Sequence, residues 1–195
     1  GGVVGNVHAN TTSFKTENCY FKGTITSSAA GNCIGGVVGR INITTGTPQV
    51  SRSWSEGSIN VKAKNVGGVV GFMGEGSHTF SNITSNINVH GSTLDVGGIV
   101  GIAHYGNNFK NITCSGNVTI ENAPAEGYAV MIGGIAGTWY NQAGTKVTLT
   151  NCTFTGTLAA YIDGVKFTNF VNNGLVGEKY SNNSNGELVI QTINE

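Results

Sequence analysis

Two aspartates, Asp95 and Asp163, eight glutamates, four histidines and four cysteines are all that this 195-residue sequence offers for acid–base, metal or nucleophilic chemistry. Repeat enzymes that act on polysaccharides need clustered acids, either to hold calcium or to serve as acid and base. Here the two aspartates are far apart, the glutamates are scattered, and His8, His78, His90 and His104 show no metal-ligand spacing. Neither His-Glu-x-x-His nor Gly-x-Ser-x-Gly occurs. The residues therefore point to no catalytic group, no cofactor and no metal.

One motif that carries chemistry does recur. Asn-x-Ser/Thr acceptors begin at Asn10, Asn42, Asn82, Asn111, Asn117, Asn151 and Asn182, and such sites take N-linked glycans on secreted chains. A chain this rich in Asn, Ser and Thr generates several by composition alone. Asn82, Asn111 and Asn151 nevertheless share one place in the repeat described next, so they form either a column of glycans or a polar stripe.

The elements that must position these residues follow from a phrase that returns six times: Gly1-Gly-Val-Val-Gly5, then its counterparts beginning at Gly35, Gly67, Gly97, Gly133 and Asn173. Self-similarity at a period of 30–40 residues signals stacked units that share one apolar interior, because a unit that short buries little by itself. The phrase reads as a very short strand, with glycines where other backbones come close. Strict alternation puts its third residues, Val3, Val37, Val69, Ile99, Ile135 and Leu175, on the face opposite the fourth ones. One apolar ladder is then expected to point away from the interior and to need cover.

A second phrase follows each first one, as in Cys19-Tyr-Phe21-Lys-Gly23-Thr-Ile25 and Ile112-Thr-Cys114-Ser-Gly116-Asn-Val118. Small or apolar residues alternate with polar ones, the mark of a half-buried strand. This aligns Gly23, Gly57, Ser85, Gly116 and Gly156 in a narrow column, and Ile25, Ile59, Ile87, Val118 and Leu158 in an apolar one. No helical periodicity appears. The expected fold is all-β: a single parallel β-solenoid, a right-handed β-helix of five to six turns with 30–40 residues per turn, spanning residues 1–195. A propeller is the runner-up, but its blades need about four strands each and only two or three are legible per repeat.

Two further sets of residues depend on that arrangement. Cys19, Cys33, Cys114 and Cys152 contain no Cys-x-x-Cys pair, which argues against zinc. They read either as small buried hydrophobes or as two disulfides, Cys114 with Cys152 and Cys19 with Cys33. Trp54, beside Arg52 on an outward position, and Trp139-Tyr140 are candidates for stacking a sugar ring or a partner chain, unless neighbouring arms cover them.

Formal net charge is zero and charged residues make up 10% of the chain, which argues against nucleic acid or an anionic membrane as partner. No stretch is apolar for long enough to span a bilayer. The surface is carried by Thr, Ser, Asn and Gly, a style expected of an extracellular or cell-surface protein. Because the first residue already falls within a repeat phrase, the chain is expected to be a module of a longer array or a filament protomer.

With Gly-Gly-Val-Val-Gly at positions 1, 35 and 67 and variants at 97, 133 and 173, the sequence resembles the GLUG-motif repeats of secreted and surface-anchored adhesin-like proteins. The resemblance covers essentially the whole chain and implies a β-solenoid stalk or display module, without a catalytic residue to carry over. Asn173 and Ala136 depart from the motif. The expected function is a non-catalytic structural or adhesive module, partnered by further copies or by flanking repeats. A carbohydrate-binding module using Trp54, Trp139 and Tyr140 is the alternative, and a polysaccharide-active enzyme the third reading.

Overall fold

The computed structural model of the protein describes residues 1–8, 11, 13–43, 46–104, 106–123, 131–140, 144–177 and 186–193. Among these the chain is all-β, with one 3₁₀ turn at Asn172–Gly174 and no α-helix. Five short strands, Val4–Val7, Val38–Ile41, Val70–Met73, Val100–Ala103 and Ala136–Trp139, form a parallel sheet in chain order. A bridge from Ala136 to Val176 adds the sixth repeat to the same register line. A second, thirteen-stranded sheet pairs the longer strands in parallel with their counterparts one repeat on.

Each glycine phrase is the corner between these sheets, not a strand of its own. The chain leaves the larger sheet at Gly35, Gly67, Gly97 or Gly133, bends over two residues, and enters the smaller sheet at Val38, Val70, Val100 or Ala136. Both amides after the bend reach one carbonyl of the next repeat: Val69 N and Val70 N donate to Ile99 O, each at 2.9 Å. This corner corrects the expected outward ladder. A bend cancels the period-two alternation, so Val37, Val69, Ile99 and Ile135 are fully buried alongside the residues that follow them. Only the terminal members differ, with Val3 half-exposed and Leu175 partly buried.

Close approach explains why the first residue of the bend is glycine. A Cβ on Gly98 would overlap the carbonyl of Gly134 and the thiol of Cys114, and one on Gly134 would overlap the Phe154 ring. The facing column is Phe21, Ser55, Ser85, Cys114 and Phe154, in register across five repeats. Its buried hydroxyls are satisfied: Ser55 donates to Ser85 Oγ at 3.1 Å, and Ser85 donates to Gly98 O at 3.0 Å.

This waist divides the interior into two apolar compartments. One packs Val37, Val69 and Ile99 against Val50, Phe80, Phe109 and Leu149, with the two phenylalanine rings 5.1 Å apart. The other holds the ladder Ile59–Val89–Val118 with Val66, Val96 and Ile132. The expected apolar column placed Ile87 beside Ile59, and the expected narrow column placed Ser85 beside Gly57. Ile87 in fact lies opposite Gly57 and Val89 opposite Ile59. A slip of two residues leaves strand alternation unchanged, so the pattern alone did not distinguish the two registers.

A second corner recurs at Asn18 and Arg52, just before long strands, and at Asn82, Asn111 and Asn151, within them, all with φ between 45° and 55°. Asparagine tolerates this left-handed conformation better than most residues. Beyond the last long strands, an antiparallel hairpin, Leu158–Ile162 with Val165–Phe167, breaks the parallel rule. Phe167 and Phe170 fold onto the second compartment.

The waist makes a direct stability test. Gly98→Ala should lower stability by about 1–3 kcal/mol through overpacking. Gly5→Ala, where the added Cβ meets nothing within 4 Å, should stay within about 0.5 kcal/mol of the parent. Urea midpoints of the two variants check this, and equal midpoints would contradict the waist.

Candidate functional site

The recurring Asn-x-Ser/Thr acceptors have a structural explanation where the structure describes them. Asn82, Asn111 and Asn151 are the left-handed corners, and their amides form a ladder: Asn111 donates to Asn82 Oδ1 at 3.1 Å, and Asn151 to Asn111 Oδ1 at 3.4 Å. Asn117 accepts the Thr157 backbone N–H at 3.0 Å, and Asn42 is half-buried beside Gly74. Backbone conformation and cross-rung hydrogen bonding therefore select asparagine here, with or without a glycan. Asn10 and Asn182 lie outside the described residues.

All four cysteines are free thiols, which corrects the expected pairing. The parallel register sets Cys152 opposite Ile112 and Cys114 opposite Phe154, so the two sulfurs are offset by two residues along their strands. Cys114 is buried at the waist. Cys152 Sγ lies 3.5 Å from Thr150 O, within its own strand. Cys19 points back to Glu17 O at 3.7 Å, while Cys33 occupies a left-handed corner near Asn32 and Asn65. Burial pushes the Cys114 and Cys152 thiols up to about 11.

Of the aromatic candidates, Trp54 is 44% exposed among the described residues. It stacks on Tyr20 with ring centroids 4.8 Å apart, and the Tyr20 hydroxyl donates to Glu56 at 3.3 Å. Arg52 is engaged by Glu17 and Asn18. Trp139 is a core residue instead: it continues the inward line Val7–Ile41–Met73–Ala103, where the small Ala103 leaves room for the indole. Tyr140 packs in a tilted arrangement against His104, which packs likewise against Phe72, which lies under the Arg40 guanidinium at 4.9 Å. The two members of the Trp139-Tyr140 pair thus serve different faces.

One titratable group escaped the sequence reading. Asp95 is 6% exposed at a third set of left-handed corners, with Cys33 and Asn65. Burial raises its carboxyl to about 6, and Thr138 and the Lys64 charge counter this only in part. A lone aspartate before Val-Gly-Gly gave no sign of burial, since its counterparts in neighbouring repeats are chemically unlike it.

A concave feature lies on the outer face of the long strands. Two cavities of about 750 and 550 Å³ meet at His90 and Glu121, which both cavities share. Asn60, His90 and Thr119 occupy successive rungs on its floor. One wall is a bulge: Ser27 faces Val61 and Gly31 faces Ala63, so Ser28 to Ala30 answer to Lys62 alone. The other wall is the hairpin, which contributes Tyr161 and Gly164. His90 Nε2 and Glu121 Oε1 are 3.4 Å apart, and Lys62 lines the larger cavity. Among the described residues, no group of three or more His, Cys, Asp or Glu is placed to hold a metal, and no helix is long and apolar enough to cross a membrane. No family model, curated protein or solved structure matches the chain.

Two measurements follow. Thiol labelling of the denatured, unreduced protein should count four thiols. In the native state at mildly alkaline pH, Cys114 and Cys152 should react slowest, because little thiolate is present; a count below four would restore a disulfide. For Asp95, the folded-state pKa lies above the unfolded one, so the folded protein binds the extra proton. Stability should therefore fall as pH rises from about 4 to about 6, by about 3 kcal/mol at roughly 1.4 kcal/mol per pKa unit. Asp95→Asn keeps a residue suited to the corner and removes the charge. Its urea midpoint should match the parent near about pH 4 and exceed it near about pH 7.5; equal midpoints at both would refute the assignment.

Proposed function

We propose that the chain is a non-catalytic, extracellular structural or adhesive module: a right-handed parallel β-solenoid whose repeats each form one turn. The observation that supports this is the unbroken register line Val4–Val38–Val70–Val100–Ala136–Val176, which carries one residue of every repeat. Parallel crossovers are overwhelmingly right-handed, which supplies the hand. The resemblance to GLUG-motif repeats belongs to the same proposal, as does a cell-surface location.

Self-association enters through the strand edges. Val4–Val7 and Tyr20–Gly35 each pair with one neighbouring strand, so their other edges face no strand among the described residues. Phe21 and Ile25 beside that edge are only partly buried. Such an edge is a template for another strand, supplied by a further copy or by flanking repeats. The apolar ladder offers no lateral surface for association, because Val37, Val69, Ile99 and Ile135 are buried within the chain. The hairpin beyond the last long strands makes the two ends unlike, which favours a head-to-tail order over a symmetric pair.

Sedimentation at micromolar concentration tests the association. Concentration-dependent oligomers, with filaments under the electron microscope, are the expected result. Replacing outward Thr24 and Thr26 on the edge strand by Lys should reduce them. A clean monomer across the range would overturn self-association and leave a display module.

A further inference from the structure

We propose that the outer groove centred on His90 and Glu121 binds a neutral, hydroxyl-rich oligosaccharide laid along the direction in which the repeats stack. This goes beyond the structural reading and does not depend on association between copies.

The shape points to a chain-like ligand. The floor crosses the rungs of Asn60, His90 and Thr119, with Thr26 before them and Ala159 after. Rungs about 4.8 Å apart place a fresh set of polar side chains at each step, a repeat close to that of an extended run of sugar rings. Two adjoining cavities of about 750 and 550 Å³ that share His90 and Glu121 suit several linked units better than one compact ligand.

The chemistry points to a neutral sugar. Lys62 and Glu121 are the formal charges of the lining and cancel, so a polyanion finds no basic track. An apolar ligand fares no better against Ser, Thr and Asn. The Asn60 amide and the Glu121 carboxylate can each engage two neighbouring hydroxyls, one offering donor and acceptor together and the other two acceptors. His90 holds Glu121 from one side. Tyr161, partly exposed at the hairpin wall, supplies a ring face for the apolar side of a sugar.

Placement strengthens the case. The two walls stand at the ends of that floor, where the chain departs from its repeat: a bulge on the first strand opposite Lys62, and an antiparallel hairpin after the last rung of an otherwise parallel sheet. A regular ladder needs neither irregularity, and together they bound a trough on the sheet face between them.

Amide NMR titration of the full chain with cellohexaose, mannohexaose, laminarihexaose and chitohexaose, with a heparin hexamer as the anionic probe, tests this. The expected result is saturable shifts at Asn60, His90 and Thr119 with at least one neutral probe. Tyr161→Ala and Glu121→Gln should each weaken that binding about tenfold or more, while Trp54→Ala leaves it unchanged. The shift map of the unmutated chain needs no variant to fold, and thermal melts of the variants verify theirs. No shift at those amides with any neutral probe at millimolar concentration would overturn the proposal. So would binding confined to heparin, or binding lost in Trp54→Ala but kept in Tyr161→Ala. Sedimentation in the same samples keeps this outcome separate from that of self-association.

Discussion

The close approach of two backbones at the glycine corner is the constraint on which the other features depend. Where Gly36, Gly68 and Gly98 turn from one sheet to the other, no Cβ fits without striking the carbonyl of the next repeat, and at Gly134 it would strike the Phe154 ring. That contact brings the corner down onto the column of Ser55, Ser85 and Cys114 and so sets the depth of the interior there. On either side the gap widens enough for Phe80 and Phe109 in one compartment and for Ile59, Val89 and Val118 in the other. A small side chain at the waist is therefore as necessary as a large one beside it. Packing at crystal-like density leaves no slack for exchanging them.

A stack of parallel ladders must also turn the chain several times per repeat without leaving polar groups unpaired. Left-handed residues at like positions in successive repeats do this: the Asn18–Arg52–Asn82–Asn111–Asn151 series and the Cys33–Asn65–Asp95 series. In the first series, side-chain amides extend the ladder outward from the backbone. In the second, Asp95 stands where its neighbours carry uncharged groups, and burial that Thr138 and the Lys64 charge offset only in part keeps its carboxyl proton-hungry. A repeat that is tolerant of residue type at its surface becomes demanding at its corners.

Regularity of this kind produces smooth faces, and a recognition surface has to come from departures. The bulge at Ser28 to Ala30 and the Leu158–Phe167 hairpin are the two largest departures among the described residues, and they flank the same rungs. Trp54 and Tyr20 form a second exposed feature on the outer surface, but there the rings face one another and flat sheet surrounds them. Grooves and platforms of this sort need no catalytic group, and they place hydrogen-bonding side chains at the spacing of the strands themselves.

The sequence by itself determined the repeat, the all-β class and the identity of most core residues, because period-two alternation and recurring glycines are local signals that stacking does not override. Ile59 and Val118 were legible as interior in this way. What the tertiary structure decided is where alternation stops. At the glycine corner a bend turned an expected outward ladder inward. In the third repeat a two-residue slip moved Val89 into the place given to Ile87. Across repeats, the offset between Cys114 and Cys152 kept two thiols apart. The groove was not legible at all, since His90, Glu121 and Tyr161 are distant in sequence and meet only because parallel register aligns their rungs. Alternation records which way a side chain points relative to its neighbours; only the packing of one repeat on the next decides which side chains come to stand together.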